Sequence, residues 1–234
     1  VKKRLKVNGI IMGLAGLAIV FFPRFFLRME NSHSVLEVVR EVLGFALILS
    51  GQIIRVSARG YKSEHSQDSR ALIQGGPYQV VRNPMYLGIF LIGLGVVLVL
   101  FKWWAIMVFV AVFILRYILL IYNEEKKLFS IFPQAYPEYC RKVPRIFPEL
   151  SSIIRLDISA YLPIKIVWFK KEIGSILTLL LLTILVNFWV DIAKEGIAAD
   201  LQQSAWLLLT IILFTILVIL LSQRTLKRHA GRAN

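Results

Sequence analysis

Two segments of this chain hold residues whose types and spacing could do chemistry. The first, Gly76 to Gly88, reads GPYQVVRNPMYLG; the second, Glu124 to Pro148, reads EEKKLFSIFPQAYPEYCRKVPRIFP. In the first, Gly76-Pro77 breaks any helix arriving from upstream. Asn83 is placed as an N-cap, and Pro84 suits the first turn of a new helix. That turn would present free N–H groups and a positive dipole end to an anionic group of a ligand. Tyr78 and Tyr86 flank it with aromatic faces, which attract cations such as a sulfonium. The same residues also suit a plain helix start with interfacial tyrosines. In the second segment Glu124 and Glu125 end an apolar run. Adjacent carboxylates at a helix C-terminus are disfavoured by its dipole, so they either meet a ligand amine or hydroxyl or are simply solvated. Phe129, Phe132, Tyr136 and Tyr139 follow as an aromatic unit punctuated by Pro133, Pro137, Pro144 and Pro148. Arg141, Lys142 and Arg145 are placed to face lipid headgroups.

The elements that must position these residues are membrane spans. The chain has 234 residues, is 57% hydrophobic and has a mean hydropathy of +0.69, above the roughly 45–50% apolar content of soluble domains. Six apolar runs approach the ~20 residues needed to cross a bilayer: about 8–27, 35–55, 84–101, 103–122, 173–193 and 204–222. The expected fold is an all-α integral membrane protein with both termini in the cytoplasm. The basic residues support that map through the positive-inside rule. Of 28 lysines and arginines, all but Arg24, Arg28, Arg40, Lys102, Lys194 and Arg116 fall on the inner side. The net charge of +14 is thereby explained as a topology signal, and nucleic acid is not an expected partner. Trp103 and Trp104 mark a tight outer turn between spans three and four. Gly9 and Gly13 form a small-residue pair suited to close helix contact. Arg116 lies within the fourth span, about two turns before Glu124 and assigned to its face, and an intramembrane charge is a functional candidate. It is read as a substrate-positioning residue or as the partner of a buried carbonyl.

Some classes drop out. The single cysteine, Cys140, allows neither a disulfide framework nor a cysteine metal site. His33, His65 and His229 are scattered and take no role. The N-terminus lacks a small-residue cleavage site, so the first span reads as an anchor rather than a cleaved signal. Residues 158–171, ISAYLPIKIVWFKK, read as an interfacial stretch on the inner leaflet or as a connecting loop. The division that follows is a four-span core over 1–150, an interfacial linker over 151–172 and a two-span extension with a basic tail over 173–234.

Together the two segments resemble the isoprenylcysteine carboxyl methyltransferase family and its wider phospholipid-methyltransferase-like superfamily. Those proteins carry G-x-Y-x-x-x-R-H-P-x-Y, a helical hairpin, a Glu-Glu pair and an aromatic tail ending in Val-Pro. Gly76, Tyr78, Arg82, Pro84 and Tyr86 are in register, as are Glu124, Glu125, Phe132, Tyr136, Tyr139, Val143 and Pro144. The resemblance covers about residues 65–148 and implies a cytoplasm-facing pocket for S-adenosylmethionine, with S-adenosylhomocysteine as product. It places the cofactor contacts on Arg70, Ala71, Leu72 and Ile73, on Tyr78, on Asn83, Pro84, Met85 and Tyr86, and on Glu124. The implied acceptor is lipophilic and approaches from the bilayer: an isoprenylcysteine-like carboxylate, a phospholipid amine, a small thiol or another lipid. The membrane would be the inner membrane of a bacterium or the endoplasmic reticulum of a eukaryote.

The chain departs from the family in three places. Asn83 stands where the motif has His and cannot titrate near neutral pH. Leu120 stands where the carboxyl methyltransferases place a substrate-binding Arg, with Arg116 one turn deeper. The two C-terminal spans lie outside the family core. Sulfonium chemistry needs positioning rather than a protein-borne reagent. No convincing base accompanies the motifs, which favours a carboxylate or thiolate acceptor. Two other readings share the core: a membrane reductase using a nicotinamide cofactor, and a non-catalytic membrane binding or scaffold protein.

Overall fold

A computed structural model of the chain describes residues 21–28, 35–66, 72–148, 161–163 and 165–195. Over these residues the protein is helical: α1 (Pro23–Phe26), α2 (Val35–His65), a 3-10 turn (Gly76–Gln79), α3 (Pro84–Leu100), α4 (Trp103–Ile131), α5 (Ala135–Lys142) and α6 (Ile166–Glu195). No β-strand occurs among them; Leu27 and Phe101 form a single antiparallel bridge. Two helices, α2 and α4, are long and apolar enough to cross a bilayer. The 17 residues of α3 make a rod of about 25 Å, just short of a ~30 Å hydrocarbon core. Most of the expected first span, all of the sixth, and the Gly9/Gly13 pair lie outside the described residues. The expected fifth span falls within α6.

Several boundaries differ from the sequence reading, each for a local reason. The second and fourth runs continue as helix past their apolar ends, to His65 and Ile131. No proline follows Arg55 before His65 or Tyr122 before Ile131, so backbone hydrogen bonding carries the helices beyond the greasy stretch. Glu124 and Glu125 therefore sit inside a helix rather than at its end. The unfavourable dipole falls off within the last turn, so it acts on them only weakly. Residues 166–171, assigned to an interfacial linker, are the first turns of α6. Trp103 and Trp104 open α4 rather than form the turn.

Glycine sets the packing of α2 on α3. A Cβ on Gly51 would lie 2.6 Å from the Gly88 carbonyl oxygen, and one on Gly88 would lie 2.7 Å from that of Gly51. Two helix backbones meet there without side chains between them, the arrangement small residues permit in membranes. Gly44 repeats the pattern one heptad earlier against Val99. Around this seam Phe45, Ile48, Leu49, Val56 and Val99 form the buried core, joined by Trp168, Ile176 and Leu180 of α6.

The end of the bundle where α1 meets the α3–α4 turn is stapled by main-chain hydrogen bonds. Arg28 N–H donates to the Leu100 carbonyl at 3.1 Å, and Lys102 N–H to that of Phe26 at 3.1 Å. Arg28 is buried against Glu41, and Arg40 donates to the Phe101 carbonyl. A buried pair of this kind fixes geometry more than it adds stability. At the opposite end α6 is tied to α2 by Arg59 with Glu172 and by the Trp168 indole N–H donating to Glu64 at 2.8 Å.

Candidate functional site

The site is built where the two motif segments clasp each other. Gly76 has φ +57°, and a Cβ there would press into the Tyr61 ring. This left-handed turn therefore needs glycine, and it aims the following 3-10 turn back along α2. Tyr78 leaves that turn and approaches the Ala58 carbonyl at 3.5 Å. From the second segment, Tyr139 O–H donates to the Tyr78 carbonyl at 2.6 Å. Arg82 N–H donates to the Pro144 carbonyl at 2.8 Å and Asn83 N–H to the Arg145 carbonyl at 3.1 Å. Asn83 occupies the N-cap position of α3, but its side chain does not cap the helix. Its amide Nδ2 instead donates to the Arg145 carbonyl at 3.0 Å. A titrating imidazole is not required for that role; a short side chain with an N–H donor is enough.

Charge completes the clasp. Glu125, its side chain 11% exposed, accepts from Arg82 Nη1 at 3.2 Å and from Arg145 Nη2 at 2.8 Å. Arg82 also donates to Cys140 Sγ at 2.6 Å. One carboxylate thus ties the turn before α3, α4 and the segment after α5 together. Beneath it Tyr136, Tyr139 and Val143 pack with Leu72, Leu128 and Phe132.

These contacts leave a cleft of about 130 Å³ whose polar wall includes Lys62, Arg82, Asn83, Glu124 and Glu125. Its apolar wall includes Leu72, Ile73, Phe132 and the rings of Tyr78, Tyr136 and Tyr139. Tyr86 O–H donates to Glu124 Oε1 at 2.8 Å and its ring lies 5.3 Å from that of Tyr117. Burial, followed by the nearby Glu124 charge, pushes the Tyr78 phenol above its ordinary range. Burial and the neighbouring tyrosines do the same for Tyr139. Both remain neutral hydrogen-bond donors throughout the physiological range.

Of the residues singled out from sequence, Leu72, Ile73, Tyr78, Asn83 and Glu124 line this cleft. Tyr86 reaches it through Glu124, and Pro84 is buried beneath. Met85 is half-buried at the start of α3 and does not line the cleft; Arg70 and Ala71 lie outside the described residues. Arg116 is exposed on α4 and does not line the cleft, and Leu120 is likewise exposed. The reason is helical phase. Eight residues leave Arg116 roughly 80° off the Glu124 direction, whereas seven leave Tyr117 within about 20°. Lys62 and Arg82 carry no site role in the sequence reading, and Glu125 enters it only as one of the paired carboxylates. Arg82 was visible as a motif position, whereas Lys62 has no signal in the sequence beyond being one more inner-side cation.

The donor set suits the cofactor that the motif resemblance implies. Glu124 can accept from an amine, Lys62 can meet a carboxylate, and the tyrosine faces can cover a heterocycle or a sulfonium. The enclosed volume is below the ~300–1,000 Å³ of most small-molecule sites. The described walls therefore have room for one end of a nucleoside-sized ligand.

Two helices long and apolar enough to cross a bilayer, with a polar, aromatic cleft at their charged ends, suggest a membrane protein. Residues 39–135 match the phospholipid methyltransferase family. That segment contains the first motif and the Glu pair, and its match agrees with the resemblance the motifs carry. Among curated proteins, the nickel-cobalt-cadmium resistance protein NccN of Alcaligenes xylosoxydans xylosoxydans is 32% identical over 130 residues. The match spans 55% of this chain and 58% of that protein, less than two thirds of its length. No solved structure matches the chain.

Proposed function

We propose that this chain is an integral membrane methyltransferase that moves a methyl group from S-adenosylmethionine to a lipophilic acceptor at the inner face of the membrane. The observation that carries the reading is the cleft itself. Glu124, Lys62 and three tyrosine rings converge where two family motifs are hydrogen-bonded together. Bound there, the cofactor supplies an electrophilic methyl group on a sulfonium. The chain's own residues then bind, orient and exclude water. Glu124, steadied by the Tyr86 hydroxyl, accepts from the amino group; Lys62 at the rim meets the carboxylate. Tyr78, Tyr136 and Tyr139 remain neutral and present ring faces. Glu125 and Arg82 touch no ligand in this scheme; they hold the two walls in register, the positioning on which in-line transfer depends.

The acceptor class follows from what the wall lacks. Among the described residues lining the cleft there is no histidine, and the lining phenols of Tyr78, Tyr136 and Tyr139 are pushed away from ready ionisation. This favours an acceptor that is already nucleophilic, a carboxylate or thiolate on an apolar body.

The test is calorimetric titration of S-adenosylhomocysteine into the detergent-purified protein. Micromolar binding is expected, with Glu124→Ala weakening it by about tenfold or more, as for loss of a charge-assisted hydrogen bond. Well-folded protein that binds no S-adenosylhomocysteine but binds a nicotinamide cofactor would overturn the proposal in favour of a reductase.

A further inference from the structure

A second cavity, of about 380 Å³, opens between α2, α3 and α6. Its size falls within the range of small-molecule sites. Its wall on α2 is polar, made by Gln52 and Arg55, one helical turn apart on one face. Its wall on α6 carries Gly174, Thr178, Leu179 and Leu182. We propose that this groove binds an amphiphile with an anionic head and an apolar chain. The inference stands apart from the methyl-transfer reading, and α6 lies beyond the family-matched segment.

Three observations point to that ligand. Gln52 is 1% exposed and lines the groove, so a buried polar amide forms part of its wall. A ligand head oxygen can accept from that amide. Charge is the second. Glu172 is held closely by Arg59, while Arg55 lies 3.5 Å from it. Two guanidinium groups share one carboxylate, so the cluster keeps a net positive charge at the mouth of the groove. Basic pockets between membrane helices are suited to anionic lipid heads. The third is shape. Arg55 marks the polar end of the expected second span, and Leu182 lies two turns along α6 from Gly174. A head at Arg55 and Gln52 leaves its chain to run over Leu179 and Leu182 into the apolar layer. Gly174 borders open space, since a Cβ there would meet nothing within 4 Å.

The shared ligand chemistry is an anionic head on a hydrocarbon chain, from a free fatty acid or from an anionic phospholipid. Native mass spectrometry of the full chain in mild detergent, with oleate, phosphatidylglycerol or phosphatidylcholine added, tests the proposal. One oleate or one phosphatidylglycerol retained per chain is expected, with phosphatidylcholine at least about tenfold weaker; which anionic probe is retained identifies the source. Gly174→Phe fills the groove without a clash and should abolish retention while leaving thermal unfolding unchanged. Gln52→Leu should weaken retention by about fivefold, the equivalent of one neutral hydrogen bond. Equal retention of all three probes, retention of neither anionic probe, or undiminished retention by Gly174→Phe in a folded protein would overturn it.

Discussion

At the residue scale, the two members of the Glu124-Glu125 pair have different work although they are chemically the same. One hundred degrees of helical rotation separates them. Glu124 points to the cleft and takes the Tyr86 hydroxyl, whereas Glu125 turns into the clasp and takes two arginines. Their variants should therefore separate. Glu125→Ala leaves the part-buried Arg82 without its carboxylate, a loss of about 1–3 kcal/mol, and should lower the thermal midpoint of the detergent-solubilised protein. Glu124→Ala removes an exposed carboxylate and should cost ligand binding with little change in that midpoint. Arg116→Ala is a control with a definite expectation. Because this side chain lies off the cleft, S-adenosylhomocysteine affinity should stay within about twofold of wild type. A tenfold loss would return Arg116 to the site. The motif letters alone made Tyr78, Tyr86 and Glu124 legible. Lys62 stayed hidden because nothing local to α2 signals that the turn at Gly76 will fold back against it.

At the element scale, helix phase and helix approach decide the site. The α2–α3 seam is set by Gly44, Gly51 and Gly88, where backbones meet too closely for a Cβ. Gly51→Leu would drive a branched chain into the Gly88 carbonyl. Overpacking of this sort costs about 1–3 kcal/mol or more, and separation of α2 from α3 would also displace Lys62 from the cleft wall and the Ala58 carbonyl from Tyr78. Loss of both the monodisperse detergent complex and ligand binding is expected; a Gly51→Leu protein that behaves as wild type on size exclusion would refute the close approach. The apolar runs for α2, α3 and α4 were plain in the sequence. Their true ends were not, because hydropathy reports where lipid stops and hydrogen bonding reports where the helix stops.

At the scale of the whole molecule, the clasp between the two motif segments carries a pH signature. Tyr78, Tyr136 and Tyr139 titrate above the ordinary phenol value, chiefly through burial. Below pH ~10 these phenols are neutral whether the chain is folded or not. Above it the unfolded chain ionises while the folded one resists, so stability falls as pH rises. Thermal unfolding should be insensitive to these groups from pH 6 to 9 and drop steeply beyond pH ~10, and Tyr139→Phe should blunt the drop. The sequence by itself set the expectation of an apolar helical protein with two chemistry-bearing segments: apolar runs, the distribution of its basic residues and two gapped motifs are one-dimensional signals. They survive without coordinates because bilayer thickness and turn chemistry act locally. Only the tertiary structure decided that Glu125 braces two arginines while Glu124 lines the cleft, that Arg116 lies off it, and that α6 leaves a groove beside Gln52. Those outcomes depend on which faces of distant helices meet, and that choice rests on packing summed over the whole bundle rather than on any stretch of the chain.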